Sequence, residues 1–211
     1  MSNKLNAADY LLFLLDADER APINGAIRLM KMMFLFNQEI MPAISQKGGS
    51  VGELPRFFAY DFGPFSKDIY EQIEFFENLK FLKTSQVDAV EHTDEFDDWE
   101  TIYGEDVLDS TLKDGYRRLN IDYKSIKYEI TERGDKYVQT KISPELSDEI
   151  KDLLTNFKRK INTITTQQLL FYVYSRYENF TTASKIKEKV LGKSTIMPDE
   201  AELVDLNDDN N

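Results

Sequence analysis

The chain has 211 residues and a mass of 24.6 kDa, and 41% of its residues are apolar, as in an ordinary globular protein. It contains no cysteine, which excludes disulfides and thiolate zinc sites and is typical of the reducing cytoplasm. Its formal net charge of −12 opposes nucleic acids at long range. The apolar run at residues 11–15 is too short for a membrane span, so we expect a cytoplasmic protein with no membrane partner.

The charge is divided along the chain. Residues 86–110 hold ten acidic side chains and no Lys or Arg, and residues 194–211 add six more acidic side chains. Residues 151–193, in contrast, hold nine cations against three acidic residues. The consequence for binding therefore depends on which part of the chain meets the partner.

Three helices are predicted in the first part of the chain. Apolar periodicity indicates a helix over residues 6–17 and a more uniformly apolar, central helix over residues 25–41. Pro42 and the glycine-rich residues after it predict a loop, and residues 56–63 suit an extended segment. Gly63 and Pro64 are then expected to begin the third helix, whose buried stripe we assign to Phe65, Ile69, Ile73, Phe76 and Leu79.

Strands and further helices follow. Residues 81–87 and 126–134 suit two strands of a hairpin whose loop is an acidic insert at about residues 86–122, and Thr131 is a candidate helix cap. Helices are predicted over residues 145–161 and 166–177, with a last basic helix before residue 193. We therefore predict a domain over residues 1–142, a helical basic extension over residues 143–193 packed on it, and a disordered acidic tail over residues 194–211.

Three sequence motifs resemble those of a known family. The runs "IRLMKMMFLF", "YDFGPFSKDIYEQIEFFENLKFL" and "YEITERGDKYV" are similar in content and order to the YwgA-like winged-helix proteins, and more distantly to the Panacea-domain antitoxins. The resemblance implies a mainly α (α+β) fold, a winged helix-turn-helix with a β-hairpin wing and a helical C-terminal extension. It also implies a non-enzymatic role in regulation or in neutralising a toxin.

No set of residues in the sequence predicts a catalytic, metal or cofactor site. His92 is the only histidine, and no Gly-x-Ser-x-Gly elbow accompanies it. Gly192-Lys193-Ser194 lacks the rest of a phosphate loop. The clustered carboxylates at residues 94–100 lack the spacing of a calcium loop and are interpreted as a solvated run. A metal-dependent hydrolase is therefore the third hypothesis.

The leading hypothesis is an antitoxin-like inhibitor that binds a protein partner, a toxin or effector. The outward positions of the third helix are mostly carboxylates, which favours a basic protein over DNA. Two interpretations of the aromatic turn stay open: its rings only pack into the core, or Arg28 and Lys31 reach towards Asp61 and Lys67 and form a polar notch beside it. The protein-binding candidates are Arg28, Lys31, Tyr60, Asp61, Lys67, Glu71, Glu74 and Glu77.

The second hypothesis is a DNA-binding transcriptional regulator that uses the basic C-terminal region. Cations interleaved with aromatic residues are typical of surfaces that follow phosphates and stack bases. The candidates for this role are Lys158, Arg159, Lys160, Arg176, Lys185, Lys187 and Lys189. A homodimer stays open under either hypothesis.

Overall fold

The structure, a computed structural model, describes residues 5–49, 52–86 and 126–192. These residues form a mainly helical fold with a three-stranded antiparallel sheet and a separate two-stranded hairpin. The predicted acidic insert after Gln86 and the predicted tail over residues 194–211 lie outside the described residues.

The first two helices form the centre of the core. Helix α1 (Ala7–Asp16) begins with a capping box between Asn6 and Asp9, which satisfies two amides that a helix start leaves open. A short strand, β1 (Ile23–Asn24), leads into α2 (Ala26–Leu35), in which every residue is buried. The nearly uniform apolar sequence of α2 is therefore explained by contact with other elements on all sides.

The expected loop at Pro42 begins later than predicted. A π-helical turn (Phe36–Ile40) continues α2, and α3 (Met41–Gln46) follows directly, with Pro42 in its first turn. Proline has no amide to donate, and Pro42 is tolerated there because it directly follows the π-helical turn, where the regular i→i−4 bonding is already interrupted. The prediction that Pro42 ends the helix is therefore wrong.

The aromatic turn forms a hairpin before the next helix. Strands β2 (Phe58–Tyr60) and β3 (Gly63–Phe65) pair antiparallel, and α4 (Lys67–Asn78) begins after Ser66. Gly63 has φ +80°, and a Cβ at this position would lie 2.8 Å from the Tyr174 ring. Because Gly63 cannot be helical in this conformation, the prediction that Gly63 and Pro64 begin the helix is wrong.

The predicted hairpin is confirmed. Strands β4 (Leu82–Gln86) and β5 (Ile126–Ile130) pair antiparallel, with Leu82 opposite Ile130. Strand β1 pairs on the other side of β5, so that the sheet order is β1-β5-β4. The alternating burial of β5 explains its sequence pattern, because one face of the strand lies against the helices.

The remaining helices follow β5. Helix α5 (Glu132–Tyr137) is capped by the Thr131 hydroxyl, which accepts from the amide of Gly134 as predicted. A π-helical turn (Val138–Ile142) and a 3₁₀ turn (Ser143–Glu145) lead to α6 (Asp148–Thr163). Helices α7 (Thr166–Arg176) and α8 (Lys187–Leu191) end the described chain, with a 3₁₀ turn (Glu178–Phe180) between them.

Two buried cations fasten α6 to the first helices. Arg28 of α2 donates to the carbonyls of Ile161 and Ile164 at the C-terminal end of α6. Lys158 of α6 in turn donates to the carbonyls of Leu15 and Ala17 at the end of α1. A cation suits a helix C-terminus because the last carbonyls lack intrahelical partners and carry the negative end of the dipole.

Candidate functional surface

The outward face of α4 is the most chemically distinctive surface among the predicted site residues. Lys67, Glu71 and Glu74 are exposed, as predicted from the helical periodicity. Phe75 is also on this side, with 56% of its side-chain surface exposed, while Ile69, Ile73 and Phe76 face the core. The helix therefore presents carboxylates around an exposed aromatic ring.

Glu77 lies apart from that face. It is half-buried, and its carboxylate accepts from the Thr84 hydroxyl on β4. This contact orients Glu77 towards the sheet, so that its carboxylate is already committed within the fold.

The β2–β3 hairpin carries an aromatic cluster, which we define as Phe58, Tyr60, Phe65 and Tyr70. Ring centroids are 6.0 Å apart for Phe58 and Tyr60, 5.0 Å for Tyr60 and Phe65, and 5.5 Å for Phe65 and Tyr70. Phe58 is 42% exposed and the other three rings are half-buried. Phe65, expected in the buried stripe of the third helix, is thus a strand residue at the surface.

Lys31 lies beneath this cluster. Its side chain is 2% exposed, and its ammonium donates to the carbonyls of Phe62 and Pro64, the latter at 2.9 Å. Burial lowers the pKa of Lys31 to about 7. A small cavity of about 20 Å³, the size of a single water, adjoins Lys31 between the hairpin and α2.

The expected polar notch is not formed as predicted. Arg28 is buried against α6 and Lys31 is buried under the hairpin, so neither cation lines the surface beside Lys67. Spacing along α2 predicted that the two cations share one face, but both side chains turn inward because backbone carbonyls there need donors. Neither Arg28 nor Lys31 is therefore part of an exposed binding surface.

Asp61 joins the two predicted surfaces. Its carboxylate pairs with Lys185 at 3.1 Å, and its backbone carbonyl accepts from the Lys185 amide and the Ser184 hydroxyl. A predicted protein-binding residue and a predicted nucleic-acid-binding residue are thus in direct contact. The contact fastens the segment before α8 to the aromatic hairpin.

Beside the face of α4 lies an open groove of about 540 Å³. Its walls are the start of α1, the segment 53–56, and one side of α4. The residues that line it are Asn6, Ala7, Ala8, Glu53, Leu54, Pro55, Arg56, Asp68, Glu71, Gln72 and Phe75. Three acidic residues, one arginine and several apolar residues thus line the groove, and its volume is in the range of a ligand cleft.

The walls of the groove are held by hydrogen bonds within the fold. The Gly52 amide donates to the Leu5 carbonyl at 2.8 Å, and Asn37 donates to the Pro55 carbonyl at 3.2 Å. The Arg56 amide donates to the Asp68 carboxylate at 2.8 Å. The segment 53–56 is therefore fastened to the π-helical turn and to α4, and Gly52 before it to Leu5, so that a ligand would meet a groove that already exists.

The predicted nucleic-acid surface is largely engaged in internal contacts. Lys158 is fully buried, and Arg159 pairs with Asp18 at 2.9 Å. Lys187 pairs with Glu178 at 2.9 Å, and the Arg176 guanidinium lies 4.4 Å from the Tyr172 ring centroid. Within the described ranges, the side chains of Lys160 and Lys189 have no ion-pair partner. A basic sequence composition has therefore not produced a set of unpaired surface cations.

A further polar network was not anticipated from the sequence. Glu39, in the π-helical turn after α2, accepts from the hydroxyls of Tyr172 and Tyr177 on the far side of the core. Hydrogen bonding to Glu39 and burial both raise the pKa of Tyr177 above its ordinary value, burial having the larger effect. The extra residue of a π-helical turn rotates the side chains after it, and π-helical turns carry no simple sequence signature.

Phe75 and the groove were also missed, although a signal was present. Successive helix residues are about 100° apart, so Phe75 and Phe76 cannot both face the same core. One ring of the pair must therefore approach the surface. The groove itself depends on segment 53–56, whose position follows from long-range hydrogen bonds that no local pattern predicts.

The described residues also bear on two other classes of function, metal-dependent chemistry and membrane insertion. Across residues 5–49, 52–86 and 126–192 no three His, Cys, Asp or Glu side chains converge as a metal site. In the same ranges no helix combines the length and apolarity needed to cross a membrane. His92 and the acidic run at residues 94–100 lie outside the described residues.

Comparisons with protein-family models, with curated proteins and with solved structures return no match for this chain.

Proposed function

We propose that this chain is a non-enzymatic winged-helix regulatory protein that binds a protein partner, acting as an antitoxin-like inhibitor of a toxin or effector. The observation that carries the proposal is the outward face of α4, where Glu71 and Glu74 flank the exposed Phe75 beside a preformed groove. Exposed aromatic residues ringed by charge are typical of protein interfaces.

The sheet supports the winged-helix part of the proposal. Strand β1, which lies between α1 and α2, pairs with β5. Strands β4 and β5 form the hairpin after α4, so that the sheet order is β1-β5-β4. This arrangement resembles a winged helix in which α4 takes the place of the recognition helix and β4 and β5 form the wing.

The charge on α4 supports a protein partner over DNA. In a helix-turn-helix protein the recognition helix lies in the major groove, where carboxylates at Glu71 and Glu74 would lie close to phosphates of like charge. A basic protein surface would instead be attracted to this face and its association would be steered by it.

The test is a matched pair of charge reversals. Tagged wild-type protein and a Glu71→Lys/Glu74→Lys variant are used to capture partners from the native host, and the captured protein is then purified and its affinity measured by calorimetry. The control, Asp152→Lys/Glu188→Lys, reverses the same number of charges at two exposed carboxylates that have no ion-pair partner in the described ranges. We expect the α4 variant to lose at least about 100-fold in affinity, as for close interfacial charge pairs, and the control to bind normally.

Association of the wild-type pair should also slow as ionic strength rises, because salt screens the steering field. Equal affinity of the folded α4 variant and wild type for every reconstituted partner would remove α4 from the interface. DNA binding through the C-terminal cations would then be the leading alternative.

A further inference from the structure

The groove beside α4 has the chemistry of a receptor for a cationic side chain. Its polar wall groups include the carboxylates of Glu53, Asp68 and Glu71 and the amide of Gln72, against one guanidinium, that of Arg56. The Gln72 Oε1 is buried and accepts no hydrogen bond from any described residue. The groove is therefore lined by residues rich in acceptors, and one of them carries a buried oxygen that the described residues leave without a donor.

The aromatic wall narrows the choice of cation. Phe75 lines the groove with more than half of its ring exposed. A guanidinium can lie flat on an aromatic face while its edge donates several hydrogen bonds in one plane, which an ammonium cannot do. The terminal torsion of Gln is broad, so a rotation that brings the Gln72 oxygen out of its buried position would present it to such an edge.

The start of α1 works against a cation, and its effect is limited. A helix N-terminus favours anions, and Asn6 to Ala8 form one wall. The capping box, however, already engages the amides of Asn6 and Asp9, and the Asp9 carboxylate lies in the first turn. Three carboxylates on the other walls outweigh the partial charge that remains.

We propose that the groove binds an arginine side chain of the protein partner, with the guanidinium stacked on Phe75 and donating to Glu71 and Gln72. This inference rests on the proposed function and specifies the partner's chemistry at one site. Arg56, on the rim, is the only resident cation among the described lining residues, and it opposes the incoming one.

The probe is the tripeptide Ac-Ala-Arg-Ala-NH₂, titrated into the ¹⁵N-labelled full-length protein and followed by NMR. We expect saturable shifts at the amides of residues 53–56 and 68–75. The lysine analogue should bind about 3-fold or more weakly because it lacks the planar fork. The citrulline analogue, which keeps the shape without the charge, should bind about 10-fold or more weakly.

Four variants locate the site. Glu71→Gln, Gln72→Met and Phe75→Leu should each weaken the arginine peptide by about 3-fold or more, since each removes one contact of a charged, stacked group. Arg56→Gln should strengthen it by about 2-fold or more, because it removes a like charge. Glu188→Gln, which lies on α8 away from both the groove lining and the outward face of α4, is the matched control and should leave the peptide affinity unchanged, and thermal melts check that every variant is folded.

Several outcomes would overturn the inference. Absence of saturable shifts, equal binding of the citrulline peptide, or equal binding by the Glu71 and Phe75 variants would each do so. A large gain in peptide affinity on deleting residues 1–4 would identify the chain's own Lys4 as the occupant instead. Concentration-dependent dimerisation competed by the peptide would identify a second copy.

The proposed function and this inference fail separately. A partner complex that is lost in Glu71→Lys/Glu74→Lys but unaffected by Gln72→Met and Phe75→Leu supports the acidic interface and overturns the arginine site. Specific arginine-peptide binding without any partner sensitive to the α4 charge reversal supports the site and overturns the proposed function.

Discussion

Replacing Lys31 by Met tests whether burial of the Lys31 ammonium under the aromatic hairpin lowers the free energy of unfolding. The pKa of Lys31 is lowered from 10.5 to about 7 because burial disfavours the charged form, so between these pH values the unfolded chain binds more protons than the folded chain. The free energy of unfolding contributed by Lys31 therefore rises with pH across that window and is lowest below pH 7. The slope is at most about 1.4 kcal/mol per pH unit, or about 2–3 kcal/mol between pH 7.5 and 9.5.

The measurement is urea unfolding of wild type and Lys31→Met, followed by circular dichroism at several pH values in that window. The Lys31→Met variant leaves the carbonyls of Phe62 and Pro64 without their donor, at about 1–3 kcal/mol each, but this loss does not vary with pH. Other titrating groups, including Lys158, are common to both proteins and cancel in the difference. We therefore expect the stability of wild type relative to the variant to increase with pH.

Lys67→Met, which changes an exposed lysine, is the control and should give a constant offset. A stability difference between wild type and Lys31→Met that stays constant within about 0.5 kcal/mol from pH 7.5 to 9.5 would refute the reasoning. It would mean that the two carbonyl bonds solvate the ammonium as well as water does.

Five further changes test other parts of the structure. Gly63→Ala should lower the free energy of unfolding by about 1–3 kcal/mol in urea melts, because φ is +80° and the new Cβ would meet the Tyr174 ring. Ile69→Ala should cost about 2–5 kcal/mol and Glu74→Ala about 0.5 kcal/mol or less, since only Ile69 is buried. Asp16→Asn should raise the free energy of unfolding by about 1 kcal/mol at pH 7.5 and by much less at pH 4. Burial and Asp135 raise the pKa of Asp16 to about 6, so that above this pH the folded protein holds an unfavourable charge that Asn removes. Partial exposure of Asp16 reduces this gain. Fluorescence anisotropy with random duplex DNA should show weak binding at physiological salt, which deletion of residues 198–211 strengthens; nanomolar binding of the full-length chain would contradict the order of the two hypotheses.

Local signals in the sequence predicted the β4–β5 pairing and the Thr131 cap. A β-rich run on each side of the insert and a Thr three residues before Gly134 are sufficient for these predictions, because residue preferences mark each strand locally and side-chain capping acts over three residues. Strand β1 was missed because two residues, Ile23 and Asn24, carry no periodicity. Pro42 was misread because the rule that proline ends a helix holds only when the residue lies in the helix interior.

The buried cations show why the candidate site was harder to predict than the fold. A Lys or Arg in sequence is normally interpreted as a surface residue, and burial of a cation normally implies a carboxylate partner. Arg28 instead donates to the carbonyl of Ile164, 136 residues away, and Lys31 to a carbonyl of the hairpin turn. Such partners are backbone atoms exposed only where a helix or turn ends, so no residue type in the sequence marks them.

The same observation alters the balance between the two binding hypotheses. The basic character of residues 151–193 was the main argument for DNA. In the structure, however, Lys158 donates to the carbonyl of Ala17 at the end of α1. Lys185 pairs with Asp61, and Lys187 pairs with Glu178. Exposed ion pairs contribute only about 0–1 kcal/mol each, so phosphates can displace them, but every displaced pair subtracts from the affinity gained. The carboxylates of Glu71 and Glu74 have no such internal partner within the described ranges. Glu71 and Glu74 are therefore available to a basic protein surface without the loss of contacts of the fold, whereas most of the predicted nucleic-acid-binding cations are already engaged and only Lys160 and Lys189 are without a contact of this kind in the described ranges.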